Sequence, residues 1–192
     1  MIVETPHGPA RVHLHPAADA RAALVLGHGA GGGVNGPDLV VATEAALAER
    51  VSVALVEQPY RVAGRRSPAP ARQLDAAFAA VVEHLAIEVP LVVGGRSLGA
   101  RVACRTAAEV GAVAVLCLAF PLHPPGRPEL SRLAELDAVT VPVLVVQGER
   151  DPFGMPPAGP GRTVVQVAGD HALRADHDAV RAAVGAWLRR VL

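Results

Sequence analysis

Short, continuously apolar runs recur along the chain, each separated from the next by a longer segment with helical spacing. The strand candidates are Val12–Leu14, Leu24–Leu26, Val51–Val56, Leu91–Val93, Val113–Leu118, Val143–Val146 and Val164–Val167. Helical patterns lie near Asp38–Glu49, Arg72–Ala86, Leu98–Glu109, Pro128–Leu136 and Ala175–Val191. In the second of these, Leu74, Phe78, Val81, Val82 and Leu85 recur at helical steps; in the last, Val180, Val184, Trp187, Leu188 and Val191 do the same. A strand that is apolar on both faces needs both faces covered, which is the condition of a parallel sheet between helical layers. The expected fold is therefore α/β: a doubly wound, mostly parallel sheet flanked by helices on both faces. No insertion is long enough for a cap domain. No repeat, linker or low-complexity tract divides the chain, so residues 1–192 read as one domain, long enough to bury a substantial core.

In such a sheet, ligands bind beyond the carboxyl ends of the strands, so the residues just after each strand are where chemistry is sought. Gly95-Arg96-Ser97-Leu98-Gly99 follows Leu91–Val93 and opens an Ala-rich helical stretch. Strand, G-x-S-x-G, helix is the pattern of a nucleophile elbow. The turn is so tight that side chains two residues to either side of the Ser would clash, and the Ser itself is held strained, with its hydroxyl exposed. Asp151 lies in Gln147-Gly148-Glu149-Arg150-Asp151-Pro152-Phe153-Gly154, after Val143–Val146, and His171 follows Val164–Val167. A Ser hydroxyl is a poor nucleophile at neutral pH and needs a base within hydrogen-bond reach. His171 would take the Ser97 proton, and Asp151 would orient the ring and stabilise the imidazolium. Oxyanion donors would be the N–H of Leu98, at the N-terminus of its helix, and that of Ala30, in the glycine-rich loop after Leu24–Leu26.

Each of these residues has a plainer reading. Ser97 is also a good helix N-cap, Asp151-Pro152 a good turn start, and His171 a possible loop histidine with no partner. Asp170 is the rival acid, although it adjoins His171 and is poorly placed to face the same ring. His28 would brace the oxyanion loop through a hydrogen bond. His123, after Val113–Leu118, is a candidate substrate-binding residue or a structural one. The remaining histidines, His7, His13, His15, His84 and His177, read as surface groups.

Composition removes several other functions. The 18 basic residues balance 18 acidic ones, which argues against a nucleic-acid partner, and aromatics at 3% offer no stacking platform. All the basic residues are Arg; Arg65-Arg66 and Arg189-Arg190 read as solvated charge, with Arg61, Arg65 and Arg66 in the loop Tyr60–Pro70 a weaker possibility for greeting an anionic substrate. No apolar run reaches the length of a bilayer span, so no membrane partner is expected. Met1-Ile2-Val3-Glu4-Thr5-Pro6 lacks the basic and apolar regions of a secretory signal. Cys104 and Cys117 read as packed thiols rather than a disulfide, and a cytoplasmic protein is the expectation. No metal motif is present and no cofactor is expected. One pattern competes: Gly27-His28-Gly29-Ala30-Gly31-Gly32 fits G-x-G-x-x-G, with Glu57 ending the next strand where a ribose-binding acid sits. The glycine run, however, continues through Gly33 to Gly36-Pro37, so no helix starts where a pyrophosphate would need one.

Taken together, His28-Gly29-Ala30-Gly31, Gly94-Gly95-Arg96-Ser97-Leu98-Gly99, His123-Pro124-Pro125-Gly126, Gln147 to Gly154 and Gly169-Asp170-His171 resemble the small α/β hydrolases of the dienelactone-hydrolase-like group. More narrowly, the chain resembles a cap-less family that includes a subunit of the non-specific-lethal chromatin acetyltransferase complex and testis-expressed relatives. The order Ser…Asp…His is the one that α/β hydrolases use. The resemblance implies Ser97 as nucleophile, Asp151 as acid and His171 as base. Dienelactone hydrolases proper carry Cys at the nucleophile position, and Ala100 stands where close relatives often have a further Gly. The expected function is a serine hydrolase that cleaves a small ester, thioester or lactone through an acyl-enzyme, with a small acyl compound as partner. The alternative is a non-catalytic scaffold of the same fold that binds a protein; no residue pattern here specifies such a partner.

Overall fold

The computed structural model describes residues 1–192. Eight strands form one sheet: β1 (Ile2–Val3), β2 (Ala10–His15), β3 (Ala22–Gly27), β4 (Val51–Glu57), β5 (Leu91–Arg96), β6 (Ala114–Leu118), β7 (Val143–Gly148) and β8 (Arg162–Val167). Their spatial order is β1-β2-β4-β3-β5-β6-β7-β8. From β4 to β8 every neighbouring pair is parallel, while β2 runs antiparallel to β4 and β1 antiparallel to β2. The helices are α1 (Pro37–Ala48), α2 (Pro59–Val62), α3 (Ala71–Leu85), α4 (Leu98–Thr106), α5 (Leu133–Asp137) and α6 (His177–Val191).

The period-two geometry of the strands divides the core in two. Leu24 and Leu26 of β3, Leu116 and Leu118 of β6, and Leu144 and Val146 of β7 face one layer, where Leu39 of α1 and Val180, Val184, Trp187 and Leu188 of α6 cover them. Val25, Val93, Val115, Cys117, Val143 and Val145 face the other, beneath Leu74 and Phe78 of α3, Val102 and Cys104 of α4 and Leu136 of α5. Both sets are fully apolar, which is why the strands show continuous runs rather than alternation. Cys104 and Cys117 are free thiols within the second layer, with their sulfurs 3.6 Å apart. The hydrogen bond to Cys104, together with burial, pushes the Cys117 thiol up, which disfavours its thiolate.

Three points of the sequence reading need correction. The two-residue β1 is too short to show a pattern; it exists because Ile2 and Val3 pair with Arg11 and Ala10. Tyr60–Pro70 is not wholly loop, since it opens within the single turn of α2, where Tyr60 is buried. The helix expected over Pro128–Leu136 is confined to Leu133–Asp137. Ahead of it the chain makes turns, Arg127 N–H to Pro124 O and Leu130 N–H to Arg127 O, and Leu130 is exposed, leaving no apolar stripe to hold a longer helix. As the continued glycine run indicated, the G-x-G-x-x-G pattern has no helix directly behind it: α1 starts only at Pro37, and Glu57 is engaged with Arg11 at 3.2 Å. The connections between strands hold at most two helices, α2 and α3 between β4 and β5, and none is long enough to form a separate cap domain. No helix is long and apolar enough to cross a membrane.

Candidate active site

The carboxyl ends of β3, β5, β7 and β8 lie along one edge of the sheet, so the loops that follow them converge. Ser97 stands between β5 and α4 with φ 52° and ψ −107°, a conformation that a residue with a Cβ adopts only under constraint. The constraint is the crossing of α4 over β3. A Cβ on Gly99 would overlap the Gly27 carbonyl, and one on Gly95 would come within 2.5 Å of that same oxygen. Although Ser97 occupies the N-cap position, its hydroxyl caps nothing. The Ser97 O–H donates to His171 Nε2 at 2.9 Å.

The other ring nitrogen of His171 donates to Asp151 Oδ2 at 2.8 Å. The Asp151 side chain is 1% exposed and that of His171 16% exposed. A buried carboxylate needs further donors. Phe153 N–H supplies one, to Oδ1 at 2.8 Å, and the Gln147 amide supplies another, to Oδ2 at 2.8 Å. That amide nitrogen also lies 3.0 Å from Phe120 O and 2.9 Å from Gly154 O, which fixes the loop carrying Asp151 to the strand end. Phe153 lies across the imidazole, ring centroids 4.1 Å apart, and limits its rotation. Asp170 instead accepts Ala172 N–H within its own turn, on the exposed side.

Ala30 and Leu98 are partly exposed; Leu98 adjoins Ser97 in the chain, and Ala30 lies in the loop after β3, the strand beside β5. Leu98 is the first residue of α4, whose leading N–H groups lack intrahelical acceptors. The Ala30 carbonyl accepts from the Tyr60 hydroxyl at 3.0 Å, while its N–H is bonded to no protein group. His28 is buried beneath this loop: its Nδ1–H donates to Gly29 O at 2.8 Å, and its Nε2 accepts Gln58 N–H at 3.1 Å. Burial pushes its pKa below the usual 6.5; the Gly29 carbonyl and Glu57 oppose this, and Arg61 adds to it. His123, partly exposed, donates its backbone N–H to Phe153 O (3.0 Å) and bonds Pro124 O through Nδ1 (2.9 Å), with Nε2 against Gly154. It therefore borders the Asp151 loop but makes no hydrogen bond to Ser97 or His171. Arg65 and Arg66 are exposed.

Phe153 and Gln147 carry parts of this geometry that sequence reasoning did not assign. Both stand in the stretch Gln147 to Gly154, whose density of polar and turn residues after a buried strand was the available signal.

The model of a family described as an alpha/beta hydrolase domain matches residues 20–182. No curated protein matches the chain by sequence. Among solved structures, the chain is similar to a protein from Xanthomonas campestris described as an α/β serine hydrolase without lid (TM-score 0.81, 21% identity, covering 100% of this chain and 94% of that one). It is also similar to Est1E from Butyrivibrio proteoclasticus with ferulic acid bound (TM-score 0.80, 16% identity, 99% and 98% covered). A third is the dienelactone hydrolase from Anabaena variabilis (TM-score 0.78, 16% identity, 99% and 95% covered). At these identities the likeness is one of fold.

Proposed function

Because the chain belongs to the alpha/beta hydrolase domain family, we propose that it is a serine-dependent hydrolase of a small ester, thioester or lactone. The observation that carries this reading is the continuous relay from the Ser97 hydroxyl through His171 to Asp151, with hydrogen bonds of 2.9 and 2.8 Å. Ser97 Oγ attacks the substrate carbonyl carbon as its proton passes to His171 Nε2. Asp151 holds Nδ1–H and stabilises the imidazolium, which also lies against the face of Phe153. The N–H groups of Leu98 and Ala30 receive the oxyanion; loss of one such donor typically costs about 2.7–4 kcal/mol. His171 then gives its proton to the leaving oxygen or sulfur, and water repeats the sequence to release the acid.

His123 would border the bound substrate at the rim of the Asp151 loop. An uncapped edge suits a small or surface-presented acyl group. Within the family, the motifs favour the cap-less subgroup that includes the chromatin-complex subunit and testis-expressed relatives. The single domain and a cytoplasmic setting belong to the same reading.

The test is labelling with a fluorophosphonate, followed by peptide mass spectrometry, with Ser97→Ala as control. We expect a single adduct on Ser97 and hydrolysis of short-chain esters that the control lacks. A folded protein that takes no label would overturn the reading and leave the scaffold alternative.

A further inference from the structure

Arg96, the residue just before the nucleophile, has a long cationic side chain that the relay above does not use. Most of it is turned inward, with 24% of the side chain exposed. Its Nε meets Asp38 Oδ2 at 2.9 Å in the first turn of α1, and the Asp38 side chain is 1% exposed. Its Nη2 donates to the backbone carbonyl of His171 at 3.3 Å. Its Nη1 lies against Gly29, so closely that a Cβ there would come within 2.5 Å. Asp38 is held in turn: its Oδ1 accepts Leu39 N–H at 3.0 Å. One planar guanidinium thus touches the loop that carries Ala30, the loop that carries His171 and the start of α1, from a backbone position adjacent to Ser97.

These are the parts whose mutual placement the proposed chemistry depends on, and they belong to segments far apart in the chain. We propose that Arg96, aimed by the buried Asp38 carboxylate, is a positioning residue that sets His171 and the oxyanion loop relative to Ser97. The proposal rests on the hydrolase reading for its catalytic consequence. The chemistry favours Arg over Lys here, because a rigid fork of donors bonds two acceptors at once and a single ammonium does not. It also assigns a role to the Asp38 carboxyl. Burial pushes its pKa up and the Arg96 charge opposes that, so the pair is tolerated where a lone carboxylate would not be.

The experiment compares Arg96→Lys, which keeps a charge for Asp38, with the double variant Arg96→Met/Asp38→Asn, which removes both charges and leaves no buried ion alone. Four quantities are measured: the unfolding midpoint, kcat and KM on p-nitrophenyl butyrate, and the downfield proton resonance of His171 Nδ1–H. We expect both variants to fold, kcat to fall by about 10²-fold in the double variant and less in the Lys variant, and KM to stay within about threefold. The His171 proton signal is expected to broaden and exchange faster in both. Folded variants with kcat within about threefold of the parent and an unchanged His171 signal overturn the proposal. Should the parent protein neither turn over ester nor take the fluorophosphonate, the hydrolase reading fails by itself. The His171 resonance then still decides whether Arg96 positions that ring.

Discussion

Asp151 and Asp170 separate sharply at the level of single residues. Asp151 is buried and receives three donors, from His171, Phe153 and Gln147. Asp170 closes a turn on the surface. Asp151→Asn preserves shape but cannot hold the imidazole in the donating tautomer, so kcat is expected to fall roughly 10³–10⁴-fold, as the equivalent change does in serine proteases. Asp170→Asn is expected to leave kcat within about threefold; steady-state kinetics on one ester distinguishes the two. His28 makes a different prediction, in stability. Both ring nitrogens are committed to the neutral form, and burial lowers the folded-state pKa. The unfolded chain therefore takes up a proton near the usual 6.5 that the folded chain resists, and the unfolded state is favoured as pH falls below that value. The stabilising contribution is complete above that pH. Urea unfolding at neutral pH and again well below 6.5 is expected to show a larger loss for the parent than for His28→Asn, which cannot titrate.

The meeting of α4 with β3 governs the site at the level of elements. Gly99 lets the first turn of the helix rest on the Gly27 carbonyl, and that approach bends the chain into the strained Ser97 conformation. Gly99→Ala inserts a methyl group with no space to receive it. A loss of about 2–3 kcal/mol in unfolding free energy is expected, at the upper end for overpacking, because the obstructing atoms are backbone. Slower fluorophosphonate labelling should accompany it. This junction was legible in the chain, because glycines flanking a Ser at the end of an apolar run mark a turn too tight for side chains. The core helices were legible for a similar reason, since α3 and α6 carry apolar residues at 3.6-residue spacing. The short elements β1 and α2 were not, and α5 was only in part. They are held by pairings across a turn or loop, such as Ala10 for Val3 and the Leu122 carbonyl for Arg132, which hydrophobic periodicity does not register.

The two apolar layers share one sheet, so neither can lose its packing without exposing the reverse side of the other. The chain is therefore expected to unfold as a single cooperative unit. Trp187, the sole tryptophan, is buried in the α1 and α6 layer, whereas most of the helical signal is spread over both faces. Its fluorescence and the far-ultraviolet dichroism should give coincident urea transitions; separated midpoints would mean two independently stable parts.

Period and order, read along the chain, were enough for the doubly wound sheet and for the three residues Ser97, Asp151 and His171 as candidates. These features are local: an apolar run, a glycine-bounded turn, a polar residue just past a strand. Distances between loops are a different matter, because they depend on how strands of remote sequence stand side by side. The packing of β5 between β3 and β6, and of β7 beside β8, decided that His171 faces Asp151 and not Asp170. The same packing laid Phe153 across the imidazole and folded the Arg96 side chain back onto Asp38 and the His171 carbonyl. Hydrogen-bond geometry acts over about 3 Å, and only the assembled sheet brings atoms from four separate loops within that range.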